Sequence, residues 1–210
     1  MECELMKLEA ITVGPLQTNC YIIIAENRES LVIDPGFEAK KIINICKDTK
    51  LKYILLTHGH FDHISAVDDL RKAFCCKVVL HAYDKEIYKN AALAAELFSI
   101  SINEQRLPDI LIHGEEAEVE FQLPVKVIHT PGHSSGSVSF IIDNNLFSGD
   151  TLFCGSIGRT DLTGSNWKDM QASLRKLTGL SDNLKIYPGH GPSTILGQEK
   201  AANPFLQDLI

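Results

Sequence analysis

The sequence contains little of what membrane, fibrous or nucleic-acid-binding proteins need. No uninterrupted apolar run approaches the roughly 18 residues of a membrane-spanning helix. Eight prolines and fourteen glycines are too few for a fibrous or low-complexity chain. With 20 basic against 27 acidic residues, the formal net charge of −7 does not favour a broad nucleic-acid surface. We therefore expect one globular domain over residues 1–210, with neither a nucleic-acid nor a membrane partner.

The chain also lacks the marks of export. Its six cysteines include no C-x-x-C pair, and glutamates are scattered through the first ten residues, MECELMKLEA, where a signal peptide would have a basic segment followed by an apolar one. We expect reduced thiols and a cytoplasmic location. The sequence does not indicate an oligomeric state.

Short apolar segments separated by turn residues predict two groups of strands. The predicted strands cover residues 8–13, 19–25, 31–33, 53–56, 77–80, 125–129, 138–142, 146–148 and 184–187. Helical spacing of apolar residues predicts helices over 38–50, 63–74, 83–100 and 165–177, and residues 101–122 are expected to hold a loop and a hairpin. This order favours an α/β protein in which helices pack outside two sheets.

Five of the eight histidines follow predicted strands in glycine-containing loops, together with two aspartates. The first of these loops reads His58-Gly59-His60-Phe61-Asp62-His63. The other three loops end in Pro-Gly-His133, Ser-Gly-Asp150 and Pro-Gly-His190. The remaining histidines, His81, His113 and His129, have no such context.

The spacing of these residues is that of a metal site. His58 and His60 are two residues apart, so both imidazoles of an extended backbone reach one ion. After the turn at Phe61, Asp62 and His63 can face a second ion beside it. We expect His133 to complete the first site, His190 the second, and the Asp150 carboxylate to bridge them.

Two divalent ions held in this way would carry a bridging hydroxide. Zinc is the first choice, and iron or manganese are the alternatives. Asp62 and Asp150 are the candidate catalytic residues, because their carboxylates would orient that hydroxide for attack on a carbonyl. Two simpler explanations are weaker: loop histidines satisfied by hydrogen bonds do not explain seven grouped residues, and a closed structural zinc site usually has four ligands, often cysteines.

Four segments resemble signature loops of the metallo-β-lactamase superfamily: THGHFDH, TPGHSSGS, FSGDTLF and YPGHGP. They occur in that family's order, and the resemblance implies an αββα sandwich, with two mixed sheets flanked by helices. Within the superfamily, residues 149–165 (GDTLFCGSIGRTDLTGS) resemble the short glyoxalase II-like hydrolases. That group implies the same two ligand sets, the bridging Asp150, and a small acyl compound, a thioester above all, as substrate.

The sequence differs from two related groups of the superfamily, and these differences narrow the expected function. Class B β-lactamases are exported and usually lack the bridging aspartate, whereas Asp150 is present. The residues after His190 include one lysine, Lys200, and no arginine, so we expect no basic helical domain of the kind that grips glutathione in full-length glyoxalase II.

Three alternatives stay open. Persulfide dioxygenases share the H-x-H-x-D-H loop, yet they use one iron at the positions matching His58, His133 and Asp150, a facial triad. A lactone hydrolase and a metal-binding module without catalysis are the others, although an intact ligand set argues against the module.

Arg159 and Phe98 are the candidate substrate contacts. Arg159 could instead form an ion pair with Asp161 that holds its loop, and the helical segment 83–100 that carries Phe98 could simply pack on the sheet. Asp34 is expected to be a turn residue beside the site.

Overall fold

The computed structural model describes residues 6–114, 119–207 and 209. The strands in this part of the chain are β1 (Met6–Val13), β2 (Thr18–Ala25), β3 (Glu29–Ile33), β4 (Lys50–Leu55), β5 (Lys77–His81), β6 (Ile110–Ile112), β7 (Val125–His129), β8 (Val138–Ile142), β9 (Asn145–Gly149), β10 (Leu152–Phe153), β11 (Ser156–Ile157), β12 (Lys185–Pro188) and β13 (Thr194–Ile195). The helices are α1 (Ala39–Cys46), α2 (Phe61–Ile64), α3 (Val67–Phe74), α4 (Lys85–Lys89), α5 (Ala91–Glu96), α6 (Trp167–Thr178), α7 (Leu196–Ala202) and α8 (Pro204–Gln207), and a 3-10 turn, Ala82–Asp84, precedes α4.

The strands form two mixed sheets and a small hairpin. In the first sheet the order is β1-β2-β3-β4-β5-β6, antiparallel from β1 to β3 and parallel from β3 to β6. In the second sheet the order is β13-β12-β9-β8-β7, and β12 runs parallel to β9 while the other pairs are antiparallel. The hairpin consists of β10 and β11.

Alternation along the strands produces three apolar layers. In β4, for example, Ile54 faces the helices outside the first sheet and Leu55 faces the second sheet. Helices α1, α2, α3 and α5 cover the outer face of the first sheet, whereas α6, α7 and α8 cover the outer face of the second. The predicted αββα sandwich is therefore confirmed.

Two segments that were each predicted as one continuous helix contain two helices instead. The helix predicted over 63–74 divides into α2 and α3, because Ala66 leaves helical geometry (φ −94°, ψ 0°) and its amide donates to the Pro35 carbonyl at 3.0 Å. The segment 83–100 divides at Asn90, whose side chain donates to the Glu86 carbonyl at 2.8 Å and whose backbone also turns out of the helix.

Other differences concern short elements. The helix predicted over 38–50 ends at Cys46, whose carbonyl accepts from the amide and hydroxyl of Thr49, and Lys50 already belongs to β4. Within the described part of 101–122 there is no hairpin: β6 pairs in parallel with β5, and residues 115–118 lie outside the described residues. Among the residues described, none of the helices is long and apolar enough to cross a membrane.

Candidate metal centre

The predicted ligands meet at one edge of the sandwich, where several strands end. β4 leads into the loop of His58, and β9 and β12 lead into Asp150 and His190. Because β9 and β12 are parallel neighbours, these last two residues leave the second sheet side by side. A hydrogen bond of 2.8 Å from the Val138 amide to the Thr57 carbonyl joins the first sheet to the second at this edge.

Three histidines form a first triad: His58, His60 and His133. Their ligand atoms all lie within 4.8 Å of one another. The His133 Nε2 and His60 Nδ1 atoms are 2.9 Å apart, a separation short enough for both to face one ion. His133 donates its Nδ1 proton to the Arg159 carbonyl at 3.0 Å, which leaves Nε2 free as a ligand.

A second triad consists of Asp62, His63 and His190, whose ligand atoms also lie within 4.8 Å of one another. The Asp62 Oδ2 atom is 3.5 Å from His63 Nε2 and 3.3 Å from His190 Nε2. His190 donates from Nδ1 to the Leu16 carbonyl at 3.1 Å, so its Nε2 atom faces the triad.

The Asp150 carboxylate lies between the two triads. Its Oδ2 atom is 3.5 Å from His133 Nε2, in the first triad, and 3.5 Å from His190 Nε2, in the second. Its Oδ1 atom is 3.5 Å from His63 Nε2. One carboxylate thus touches both ligand sets, as a bridging ligand must.

Buried polar atoms without hydrogen-bond partners at this site are consistent with metal binding. Five buried side-chain nitrogen or oxygen atoms of the described residues have no hydrogen-bond partner, and three of them belong to this site: His58 Nε2, His63 Nε2 and Asp150 Oδ1. Such atoms are costly inside a protein unless something coordinates them. Imidazole nitrogens and carboxylate oxygens are ligands that zinc and iron accept, so the residues present fit the ions expected for them.

The pKa values divide the site into a neutral half and a charged half. Burial lowers the pKa of His58 well below its ordinary value, with neighbouring histidines as a further cause. Burial and the nearby His133 lower the pKa of His60 to about 4. Both rings are therefore neutral at pH 7, the form that binds a metal.

The second triad behaves in the opposite way. Burial opposes a charge on His63, yet Asp62, Asp150 and Asp34 raise the pKa of its ring to about 10. Burial would raise the pKa of Asp62, but His63 and hydrogen bonds from His190 and Thr18 lower it below its usual range. Several buried carboxylates therefore favour a positive charge at the second triad.

Two residues outside the predicted ligands hold these triads in place. Asp34 accepts hydrogen bonds from the Thr57 amide (2.8 Å) and hydroxyl (2.6 Å) and from His63 Nδ1 (3.0 Å), so it orients a ligand and is more than a turn residue. Thr18, fully buried, donates to Asp62 Oδ2 at 2.9 Å. The Asp-Pro-Gly turn after β3 is a sequence signal for Asp34, whereas Thr18 has none.

A glycine permits the close approach of the His190 loop. A Cβ atom at Gly189 would lie 2.1 Å from Asp150 Oδ1 and 2.8 Å from His63 Cε1. Only glycine fits between the central carboxylate and the second triad, which agrees with the glycine that precedes His190 in the sequence.

The candidate substrate contacts lie around the site. Arg159 approaches it through its carbonyl, bonded to His133, while its guanidinium forms a bidentate pair with Asp161 at 2.9 Å and is exposed. Phe98 is half exposed and packs on Phe61, the first residue of α2, at 5.4 Å between ring centroids.

Two histidines outside the ligand loops form a separate pair. The rings of His81 and His129 stack at 4.3 Å with an interplanar angle of 13°. Neither residue belongs to a metal-competent group of the described residues.

Comparison with protein families gives one match over most of the chain. The profile of the metallo-beta-lactamase superfamily matches residues 13–190, which include both triads and Asp150. The chain is 39% identical over 207 residues to the probable metallo-hydrolase YqgX of Bacillus subtilis, with 96% of this chain and 98% of that protein aligned. It is 36% identical over 208 residues to the hydroxyacylglutathione hydrolase GloC of Haemophilus influenzae, with coverage of 96% and 98%.

Solved structures agree with these relatives. BLEG-1 B3 metallo-beta-lactamase superposes with a TM-score of 0.90 at 39% identity, over 95% of this chain and 99% of that one. The di-iron-bound form of TTHA1623 gives a TM-score of 0.87 at 39% identity, over 94% and 100%. ETHE1 from Myxococcus xanthus gives 0.78 at 28% identity, over 95% and 84%.

Proposed function

Because the chain belongs to the metallo-β-lactamase superfamily and has its metal-dependent hydrolases as relatives, we propose that it hydrolyses a small acyl thioester at a site for two divalent ions. The observation that carries the proposal is the Asp150 carboxylate in contact with both triads. Two sets of buried ligands on either side of one carboxylate support a site for two ions.

Each triad would hold one ion, and Asp150 would face both. Zinc is the first choice, and the di-iron-bound neighbour makes iron the first alternative, before manganese. Divalent ions in such positions supply Lewis-acid chemistry, since they make water nucleophilic near pH 7 and stabilise negative charge on an attacked carbonyl oxygen.

The protein's own side chains perform the remaining tasks. Asp150 Oδ1, buried and without a hydrogen-bond partner, can accept a hydrogen bond from attacking water and so orient it towards a carbonyl carbon. Asp62, which Thr18 and His190 hold in place, fixes the other side of the site. A thiol leaving group has a pKa of about 8.5 and departs as thiolate, so the protein does not have to supply a proton.

Substrate selection would involve two exposed residues at the edge of the site, Arg159 and Phe98. The exposed Arg159 guanidinium can bind a carboxylate of the substrate if it exchanges Asp161 for that partner. Phe98, exposed by 51% of its surface beside α2, can contact an apolar part of the acyl group. A relative named hydroxyacylglutathione hydrolase supports a thioester as the substrate class.

The second candidate function is an iron-dependent oxidation of the persulfide dioxygenase kind. A two-histidine, one-carboxylate subset exists here in His58, His133 and Asp150, and this is the ligand set of mononuclear iron oxygenases. The structural likeness to ETHE1 also favours this candidate.

One sample tests both candidates. Protein purified without added metal is analysed for its ions per chain and then assayed for hydrolysis of a hydroxyacyl-glutathione and other thioesters, a lactone and a chromogenic β-lactam, and for persulfide-dependent oxygen uptake. Two ions per chain with thioester hydrolysis is the expected result. One iron with oxygen uptake would overturn it in favour of the second candidate, and turnover of the lactone or β-lactam alone would replace the substrate class.

Two variants control this experiment. Asp150→Asn removes the central carboxylate charge and should lower thioester hydrolysis by at least about a hundredfold. Asp143→Asn makes the same chemical change at an exposed turn between β8 and β9 and should leave the rate unchanged.

A further inference from the structure

Asp84 is a buried carboxylate outside both triads. It ends the 3-10 turn that follows β5 and has no exposed surface. Its Oδ2 atom accepts from the Gly59 amide at 2.9 Å and from the Ser134 hydroxyl at 2.7 Å. Its Oδ1 atom accepts from the Gly136 amide at 2.6 Å. All three donors are on ligand loops.

These donors belong to the two loops that build the first triad. Gly59 lies between His58 and His60, after β4 of the first sheet. Ser134 follows His133 directly, in the connection between β7 and β8 of the second sheet. One side chain therefore ties together two loops that come from different sheets and carry all three histidines of that triad.

The two loops lie so close to Asp84 that no side chain fits between them and the turn. A Cβ atom at Gly136 would lie 2.6 Å from the Asp84 amide nitrogen and 2.7 Å from its Oδ1 atom. A Cβ atom at Gly59 would lie 2.9 Å from the Asp84 carbonyl oxygen. Both loops therefore touch the turn of Asp84 backbone to backbone, and its position fixes the distance between them.

We propose that Asp84 is a positioning residue that sets the separation of the His58–His60 loop from the His133 loop and thereby the metal affinity of the first triad. The inference rests on the proposed function only in requiring that the triads bind metal. Asp34 differs from Asp84 in contacting both triads: it binds His63 Nδ1 directly, and it binds Thr57, whose hydroxyl lies 3.0 Å from His58 Nδ1.

Asp84→Asn tests this directly. Asparagine has the same shape but replaces one acceptor oxygen by an NH2 group, which opposes the Gly59 or Gly136 amide donor across a hydrogen-bond distance. Metal-free protein with 15N-labelled histidine is titrated with zinc alone, and the ring signals show which histidines bind. We expect zinc affinity at His58, His60 and His133 to fall by about 10–100-fold, while the His63 and His190 signals respond at the wild-type zinc concentration.

Three further variants make the result specific. Ser134→Ala removes one of the three donors and should give a smaller loss at the same triad. Asp34→Asn should include a loss at His63, the histidine that Asp84→Asn leaves at the wild-type response. Leu174→Ala truncates a buried α6 side chain in the core outside the second sheet and shows what reduced stability alone does to zinc binding.

The outcomes separate the two hypotheses. If Asp84→Asn binds zinc at the first triad within twofold of the wild type, or loses both triads equally as Leu174→Ala does, the role of Asp84 is refuted and the proposed function stands. If the wild-type histidines of neither triad respond to zinc or to ferrous iron, the metal site itself is refuted, and the role of Asp84 with it.

Discussion

Thr18 illustrates how much one hydroxyl can contribute inside the site. It is fully buried and donates to Asp62 Oδ2, which also faces both histidines of the second triad. Thr18→Val keeps the shape and removes the donor, so metal-free protein should lose about 1.5–3 kcal/mol of unfolding free energy, the usual worth of a hydrogen bond to a charged group. Urea denaturation measures this loss.

The same substitution should weaken zinc at the second triad and leave the first triad unchanged. Thr12→Val is the matched control, since Thr12 lies on the same β1–β2 hairpin and its exposed hydroxyl contacts only Asn19 at 3.3 Å. Equal stability of the Thr18 and Thr12 variants would contradict the role of Thr18.

His81 gives a pH dependence that does not involve the triads. Burial, together with the charge of His129 and His113, lowers its pKa to about 4. In the unfolded chain the ring titrates near its ordinary value of about 6.5, so between these values the unfolded state binds the additional proton. The stability that His81 contributes is complete above about pH 6.5 and is lost as the pH falls towards 4.

His81→Gln should therefore flatten the dependence of unfolding free energy on pH between 4 and 6.5 in metal-free protein. Denaturation at several pH values measures the slope. His113→Gln, at an exposed position, should retain most of the wild-type slope. A slope unchanged by His81→Gln would show that the ring is protonated equally in the folded and unfolded states.

The residues that could be predicted from the sequence were those with a local pattern. His58, His60, Asp62 and His63 stand within six positions, and the other three loops repeat a glycine before the ligand. Thr18 and Asp84 are single polar residues whose partners lie 44 and 50 positions away along the chain. No local pattern marks such pairs, because only the folded chain brings them together.

Helix α6 depends on its first turn. The Asn166 side chain accepts from the amides of Lys168 and Asp169 at 2.8 and 3.1 Å and so caps the helix. Asn166→Ala should cost about 1 kcal/mol of unfolding free energy, whereas Asn166→Asp should retain nearly all of it. Urea denaturation of both variants checks this, and an Asn166→Ala variant as stable as the wild type would show that the cap bonds contribute nothing.

Helices and strands could be predicted where the segment was long enough for its apolar residues to show a helical or strand spacing. Strands β2, β7 and β8 and the long helix α6 lie where the spacing indicates them. The breaks between α2 and α3 and between α4 and α5 come from hydrogen bonds to Pro35 and Glu86 that spacing does not reveal. Strands of two residues, such as β13, exist only because a neighbouring strand pairs with them.

For the molecule as a whole, metal should act as a stabilising ligand that couples the two sheets. The first triad joins a loop of the first sheet to a loop of the second, and Asp150 adds a third strand end. Zinc at a hundred times its dissociation constant should raise the free energy of unfolding by about 2.7 kcal/mol per site, and a chelator should remove this gain.

Calorimetry across a series of zinc concentrations measures the effect as a rise of the melting temperature. Asp150→Asn should show a clearly smaller rise, because it loses the carboxylate common to both triads. A melting temperature independent of zinc would exclude tight binding to the folded chain.

The overall architecture was accessible through the signature loops rather than through spacing. Periodicity alone indicated two sheets with helices outside them, whereas the layer order came from the resemblance to a family and agrees with the observed αββα layers. Arg159 and Phe98 stay predictions as substrate contacts, because their contacts within the protein, with Asp161 and Phe61, do not show what a substrate would bind.

The order in which the ligands occur along the chain has a consequence for synthesis. His63 and His190 share the second triad, yet 127 residues separate them, and His190 takes its place only when β12 pairs with β9. A ribosome must therefore translate the chain as far as His190 before that triad exists. A nascent peptide that ends before β12 contains Asp62 and His63 but cannot form the second triad, so this ligand set is a product of long-range folding.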